Sequence, residues 1–330
     1  MKKKLRFSFL IFCSLAGFSQ NYQVIDQKVR TYPAFESLSD LGIRIQNDFA
    51  ADSLRVRAAF IWVTDNMAYG RNTAGSDGLN MHVRYSSERD REEAIYDLVE
   101  LRIAQAFRKK MGVCIDYSLF LNALFEQFGL PSKIITGVVK TEIEDIQGEE
   151  KLRNHSWNAV QLNGRWRLMD ATWAAGFSDP ETGRFVKKYL DHYYFTDPSD
   201  FIRHHFPVKE EWQLLEQPVD ATSFFSAPIF LPDYCEEDIH LSSQTSGILT
   251  LAEGEENYLY FDRLPDIHLM HYTINGDGEF RRMAFKKGEG AGYISKIKLR
   301  KRFNREYDYL TIYMNNTPIL NFRIREALAQ

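Results

Sequence analysis

Three short segments carry a thiol, an imidazole and a carboxylate in that order: Gly112-Val113-Cys114-Ile115-Asp116-Tyr117-Ser118, Asn154-His155-Ser156-Trp157-Asn158-Ala159-Val160 and Trp166-Arg167-Leu168-Met169-Asp170-Ala171-Thr172-Trp173. Cys114 opens a run with helical periodicity, so the thiol is expected at a helix N-terminus, where unpaired N–H groups carry roughly half a positive charge and favour a thiolate. His155 and Asp170 flank Asn163-Gly164, the strongest short hairpin signal. With those two residues at the centre of a two-residue turn, Leu162 opposes Arg165, Asp170 opposes Trp157 and Thr172 opposes His155. His155, Trp157, Asp170 and Thr172 then share one sheet face, with His155 and Asp170 as diagonal neighbours about 7 to 8 Å apart at Cβ. An imidazole and a carboxylate span that gap.

Together these are the parts of an activated cysteine nucleophile. His155 takes and returns the proton of Cys114, and Asp170 holds the ring tautomer and stabilises the imidazolium. The backbone N–H of Cys114 offers one oxyanion donor, and Gln105 and Trp62 are candidates for a second. Taken singly, each residue type is more often structural than catalytic; compatible geometry for all three favours chemistry. Asp116 would oppose a thiolate if it faced the sulfur, and is expected to point away. No metal site is expected: His-Glu-x-x-His and Cys-x-x-Cys are lacking, and the adjacent His204 and His205 should point in different directions.

The positioning elements are legible as periodicities. Asp52-Ser53 caps a helix with Val56, Ala59, Phe60, Val63 and Met67 inward, ended by Gly70. A second amphipathic helix spans Arg89 to Lys110, with Ile95, Leu98, Leu101, Ile103, Ala106 and Phe107 inward, after a polar loop from Arg71 to Ser87. The helix opened by Cys114 buries Tyr117, Leu121, Leu124, Phe125 and Phe128 and stops at Gly129 and Pro131. Lys133 to Val139 reads as a strand, followed by an acidic loop from Thr141 to Glu150. Beyond a composition change near Pro232, short strand-like runs (Ile248 to Leu251, Tyr258 to Phe261, Ile267 to Ile274, Tyr293 to Leu299, Tyr307 to Tyr313, Ile319 to Ile324) point to a β-sandwich of immunoglobulin-like type.

A chain of 330 residues, 44% hydrophobic and 26% charged, can bury more than one core. Lys2, Lys3, Lys4 and Arg6 precede an apolar stretch from Phe7 to Phe18 and small residues at Gly17 and Ser19. This pattern predicts a secretory signal peptide over residues 1–19 and a secreted or periplasmic protein. The stretch is too short for a membrane span, and bulky Phe12 before Cys13 argues against lipid attachment. Loss of the four basic residues takes the formal net charge from -4 to -8, which disfavours nucleic acid and anionic membranes as partners. Cys114 and Cys235 remain; a disulfide between them is the structural alternative to a reactive thiol.

At the three segments the sequence resembles the transglutaminase-like superfamily, whose core carries a Gly-x-Cys helix start, a His-x-Trp strand and an Asp-x-Thr-Trp strand. Cys114, His155 and Asp170 match its nucleophile, base and orienting acid. Arg57-Ala58-Ala59-Phe60-Ile61-Trp62-Val63 is similar to its preceding helix. Tyr194-Phe195-Thr196-Asp197-Pro198, Phe201-Ile202, His205-Phe206-Pro207 and Trp212-Gln213-Leu214-Leu215 resemble the region after the core in kyphoscoliosis-peptidase-like members. The resemblance covers roughly residues 50–232. Several relatives of that subgroup have Gly where this chain has Asp116, while other bacterial members carry Cys-x-Asp-Tyr.

The resemblance implies an α+β fold with a papain-like, transglutaminase-like core over residues 20–232, ahead of the all-β domain over residues 233–330. It also implies amide chemistry with no metal or organic cofactor. The expected function is cleavage of protein or peptide amides, cell-wall peptide included, through a thioester on Cys114. A protein-glutamine transglutaminase with the same triad and a non-catalytic binding scaffold are the alternatives.

Overall fold

The computed structural model describes residues 22–70, 87–147, 154–179, 182–236, 238–251, 257–265, 269–288, 292–297 and 308–326. The expected signal peptide, most of the Arg71 to Ser87 loop and the end of the acidic loop lie outside them.

Three helices lead into the core: α1 (Tyr22–Arg30), α2 (Leu38–Asp48) and α3 (Asp52–Asn66). Ser37 caps α2 through a reciprocal pair, its hydroxyl accepting from Asp40 N while the Asp40 carboxylate accepts from Ser37 N. Val56 to Thr64 of α3 are buried without interruption, including Ala58, Ile61 and Trp62. A helix buried on every side is central to its core rather than laid on its surface. It ends at Asn66 instead of Gly70, because Ala68–Tyr69 leaves as β1 and pairs in parallel with β2 (Met111–Gly112).

Between them lies α4 (Glu88–Lys109), capped by Ser87. Only its C-terminal part is buried, through Ile103, Ala106 and Phe107. Leu101, expected inward, is 54% exposed. The helix stops where Lys110 turns left-handed (φ 52°), its ammonium lying over the rings of Phe107 and Trp62.

The next helix, α5 (Cys114–Gln127), buries its stripe of Tyr117, Leu121, Leu124 and Phe125 together with Phe120. Gly129, at φ +75°, turns the chain into β3 (Ser132–Val139). A five-stranded antiparallel sheet follows in the order β8-β5-β4-β3-β9, built from β3, β4 (His155–Leu162), β5 (Arg165–Met169), β8 (Tyr194–Thr196) and β9 (His205–Pro207). One face gives Val160 and Met169 to the helical core, and the other packs Trp157, Ala159, Leu168 and Ile135 against Phe201. Between β5 and β8 the chain makes α6 (Ala171–Ala175) and a small hairpin, β6 (Gly176–Ser178) with β7 (Phe185–Lys187). Helix α7 (Pro198–Phe201) precedes β9.

After α8 (Ala221–Ser226) a second apolar core gathers residues from Phe230 to Ile324 between two sheets. The first runs β10-β19-β18-β14-β15: β10 (Ile229–Phe230), β19 (Thr317–Glu326), β18 (Asp308–Met314), β14 (Met270–Ile274) and β15 (Arg281–Arg282). β12 (Ile248–Leu251) joins it in parallel to β19. The second sheet runs β11-β13-β17-β16: β11 (His240–Leu241), β13 (Asn257–Arg263), β17 (Tyr293–Ile297) and β16 (Phe285–Lys287). Leu259, Phe261 and Ile297 of the second sheet and Tyr272, Leu310, Ile312 and Phe322 of the first fill the space between.

The two-residue strands β10, β11 and β15 are too short to show periodicity, and β10 precedes the composition change while pairing with β19. Polar ties run between the two parts of the chain. Buried Lys140 donates to the carbonyls of Phe224 (2.6 Å), Ala227 (2.8 Å) and Pro228 (3.2 Å) at the end of α8, and Arg323 donates to the Ile146 carbonyl at 2.9 Å. Burial lowers the Lys140 pKa to about 7.

Candidate active site

Antiparallel order brings the start of β4, the end of β5 and the start of β9 to one end of the core sheet. His155, Asp170 and His205 stand there. The hairpin has the expected register, with Leu162 opposite Arg165 and Asn158 opposite Met169, and both Asn163 (φ 51°) and Gly164 (φ 75°) are left-handed, as a type I′ turn needs. His155 Nε2 lies 2.6 Å from Asp170 Oδ2.

Thr172 departs from its expected place opposite His155, because β5 ends at Met169 and Asp170 becomes the N-cap of α6. The Asp170 Oδ1 accepts from Thr172 N (2.8 Å) and Trp173 N (3.1 Å), while its own N–H donates to Tyr193 O (3.0 Å). An aspartate followed by a chain free to turn helical satisfies those N–H groups better than continued extension would.

The Cys114 thiol lies close enough to the His155 side chain to favour its charged form. Since Asp170 occupies Nε2, Nδ1 is the ring nitrogen left for sulfur. Cys114 is a free, buried thiol, so it is not held in the alternative disulfide; the Cys235 side chain lies outside the described residues. It is the first residue of α5, where N–H groups precede any intrahelical acceptor.

Asp116 is drawn back toward the turn: its Oδ2 accepts from Val113 N at 2.8 Å, and Arg102 of α4 grips the same carboxylate at 2.6 and 3.1 Å. A guanidinium therefore offsets the charge that would oppose a thiolate. This arrangement explains Gly112, where an added Cβ would lie 2.5 Å from the Asp116 Cβ and 2.8 Å from its Oδ2. Gly112→Ala should destabilise the protein by about 1 to 3 kcal/mol through overpacking and slow iodoacetamide alkylation of Cys114. The double variant Gly112→Ala/Asp116→Gly, which removes the clashing Cβ, should recover part of the alkylation rate. A single variant with wild-type melting temperature and alkylation would show that the turn accommodates a side chain.

Electrostatically the site is built around one carboxylate. Burial works against a charged His155, but the adjacent Asp170 and Cys114 outweigh it and push the imidazole up to about 10. Burial likewise opposes the Asp170 charge, yet His155 and His205 hold its carboxyl far below the usual range. Trp173 and Trp157 lie beside His155, at ring-centroid distances of 5.9 and 6.1 Å, and screen it from water. Gly137, opposite His155, leaves room for this: a Cβ there would meet Trp157 Cη2 at 2.4 Å and Phe206 O at 2.2 Å.

Sequence reasoning missed His205. Its Nε2 is 2.9 Å from the same Asp170 Oδ2. Alternation along β9 could assign it a face, but only the packed sheet brings that face over Asp170. His155, Asp170 and His205 offer ligand atoms within 4.8 Å of one another, close enough to raise the question of a metal. The 2.6 and 2.9 Å separations suit shared protons; ligands about 2.0 Å from a tetrahedral zinc stand about 3.3 Å apart. Of the two oxyanion candidates, Trp62 stacks on Phe107 in the helical core, and Gln105 lines a groove with Phe35, Leu101 and Lys110.

A cysteine at a helix mouth beside a strand histidine that is itself held by a carboxylate, on an α+β core, is the arrangement that cysteine-dependent acyl transfer uses. Residues 41–171 match the family model described as the transglutaminase-like superfamily, so this stretch is similar to the core of that superfamily. It is similar to mouse kyphoscoliosis peptidase, 23% identical over 270 residues, which is 81% of this chain and 37% of the mouse protein. It is also similar to the Lim and transglutaminase domain protein ltd-1 of Caenorhabditis elegans, 36% identical over 125 residues, covering 34% of this chain and 17% of that one. The chain thus spans little more than a third of the mouse relative's length. A crystal structure of a TGase aligns at a TM-score of 0.28 and 15% identity over 55% of this chain and 40% of that chain.

Proposed function

We propose that this protein is an exported, cysteine-dependent enzyme that hydrolyses amide bonds of proteins or peptides. The observation that carries the reading is the buried His155–Asp170 pair, 2.6 Å apart, with the Cys114 thiol at the mouth of α5 close enough to act on the imidazole. His155 removes the thiol proton, sulfur attacks the amide carbonyl, and the N–H of Cys114 supports the oxyanion. His155 then protonates the leaving amine. Water, deprotonated by the same ring, releases the acid from the thioester.

A transglutaminase would differ only in passing the acyl group to an amine, which requires a site that orients the amine and keeps water out. No residue pattern in the sequence marks such a site, which favours hydrolysis. A scaffold role would not need the buried, mutually polarised triad. Incubating wild type and Cys114→Ala with casein and a labelled primary amine tests the reading. Cys114-dependent new peptide ends or deamidation are expected; strong labelling without them would favour the transglutaminase, and neither outcome would favour the scaffold.

Export is supported by the basic and apolar N-terminal sequence. Expressed at full length in a secreting host, the mature chain should begin close to Gln20 in soluble fractions, as N-terminal sequencing would show. An intact Met1 end, or lipid on Cys13, would overturn that part. Among the described residues no helix is long and apolar enough to cross a membrane.

A further inference from the structure

One oxygen of Asp170 serves two histidines. His205 Nε2 approaches Oδ2 at 2.9 Å, beside His155 Nε2 at 2.6 Å, and Oδ1 is held by two backbone N–H groups. With both oxygens occupied, the carboxylate cannot rotate without breaking a charge-assisted bond.

His205 is 1% exposed, and its ring stacks on Phe201 at 4.1 Å with Trp173 at 4.7 Å and Trp157 at 5.0 Å. Its Nδ1 has no hydrogen-bond partner. An orphaned buried nitrogen is tolerable as a bare lone pair but costly as an N–H. That fixes the tautomer, since Nε2 must carry the hydrogen it donates to Asp170. Burial lowers the His205 pKa to about 4 despite Asp170, and the neighbouring His155 and His192 push the same way; His204 and Tyr193 complete the titratable groups around the ring. The two imidazoles on one carboxylate are therefore unequal: His155 is the one that carries charge, and His205 is neutral.

We propose that His205 is a positioning residue for the cysteine chemistry, a neutral Nε2–H donor that locks Asp170 so that His155 keeps Nδ1 on the Cys114 sulfur. The role rests on the triad reading above. It also divides the negative charge of Oδ2 between two donors and so moderates the proton affinity of His155.

The test compares His205→Phe, which keeps an aromatic ring and loses the donor, with His205→Gln, which restores an N–H. Two readouts are needed: kcat and KM on casein-derived peptides, and the imidazole 15N resonances of the full chain across pH. In His205→Phe, kcat should fall about tenfold or more, the scale of one hydrogen bond to a charged group, with KM little changed, and the His155 titration should move upward. His205→Gln should recover most of both.

Wild-type values of kcat and of the His155 titration in a folded His205→Phe would overturn the proposal. So would losses that Gln does not relieve, or a wild-type spectrum showing His205 protonated at Nδ1. The 15N readout needs no substrate, so it judges the positioning role even if no amide is cleaved and the functional reading fails. If His205→Phe does not fold, the wild-type tautomer and the Gln variant still decide.

Discussion

Replacing Asp170 with Asn should lower Cys114-dependent turnover by about 10⁴-fold, the scale seen when an orienting triad carboxylate becomes an amide. An amide has only one accepting end. Oδ1 of Asp170 takes the N–H groups of Thr172 and Trp173, and Oδ2 takes both imidazoles, so the NH2 of Asn faces a pair of donors whichever way it turns. His155 would also lose the charge that offsets its burial. Competition alkylation with iodoacetamide gives a second measure: in the wild type Cys114 should react much faster than Cys235, and Asp170→Asn or His155→Ala should remove that advantage. Equal slow rates at both cysteines of the wild type would sink the catalytic reading.

The same pair makes stability depend on pH, with a definite sign. His155 is raised above its ordinary 6.5, so its contribution is complete below about 6.5 and is lost as pH rises toward about 10. Asp170 is lowered below its ordinary 3.8, so its contribution is present above about 3.8 and lost on further acidification. The difference in unfolding midpoint between wild type and Asp170→Asn should therefore be largest between about pH 4 and 6.5, and shrink on either side.

Arg57→Ala should cost about 3 to 5 kcal/mol of stability, the range for breaking a buried ion pair. Arg57 is 2% exposed on α3, and its fork meets both oxygens of Asp26 on α1 at 2.9 and 2.7 Å, while its other nitrogen reaches Asp191 at 2.5 Å. The rings of Tyr22 and Tyr194 lie against its guanidinium, each 4.7 Å away. Removing the side chain leaves the buried Asp26 carboxylate without its ion pair. The Asp191 side chain is 62% exposed and water can solvate it, so most of the loss comes from Asp26. Urea titrations should show a lower midpoint with little change in slope, and Asp26→Asn in the Arg57→Ala background should restore part of the loss because no lone charge then remains buried. A loss under about 1 kcal/mol would mean that water reaches Asp26.

What the sequence determined by itself is local or nearest-neighbour in origin. Asn163-Gly164 can adopt the two left-handed conformations that fix a hairpin register, and that register alone puts His155 and Asp170 within reach of one another. The stripe of Tyr117, Leu121, Leu124 and Phe125 follows from 3.6-residue periodicity, and the basic N-terminus followed by an apolar stretch from chain composition. Where local rules competed, tertiary structure decided. Thr172 turned helical because Asp170 could cap a helix as well as end a strand, and Leu101 is exposed because it lies on the face of α4 shared with Gln105 and Arg108, opposite the buried Ile103, Ala106 and Phe107. The strands β10, β11 and β15 exist only as partners of longer ones. His205 shows the limit most plainly: 35 residues separate it from Asp170, and no spacing rule links them. Their contact is made when β9 adds to the edge of β3 and the closed core leaves a buried imidazole one good acceptor, since an unpaired polar group in that aromatic setting costs more than the hydrogen bond that relieves it.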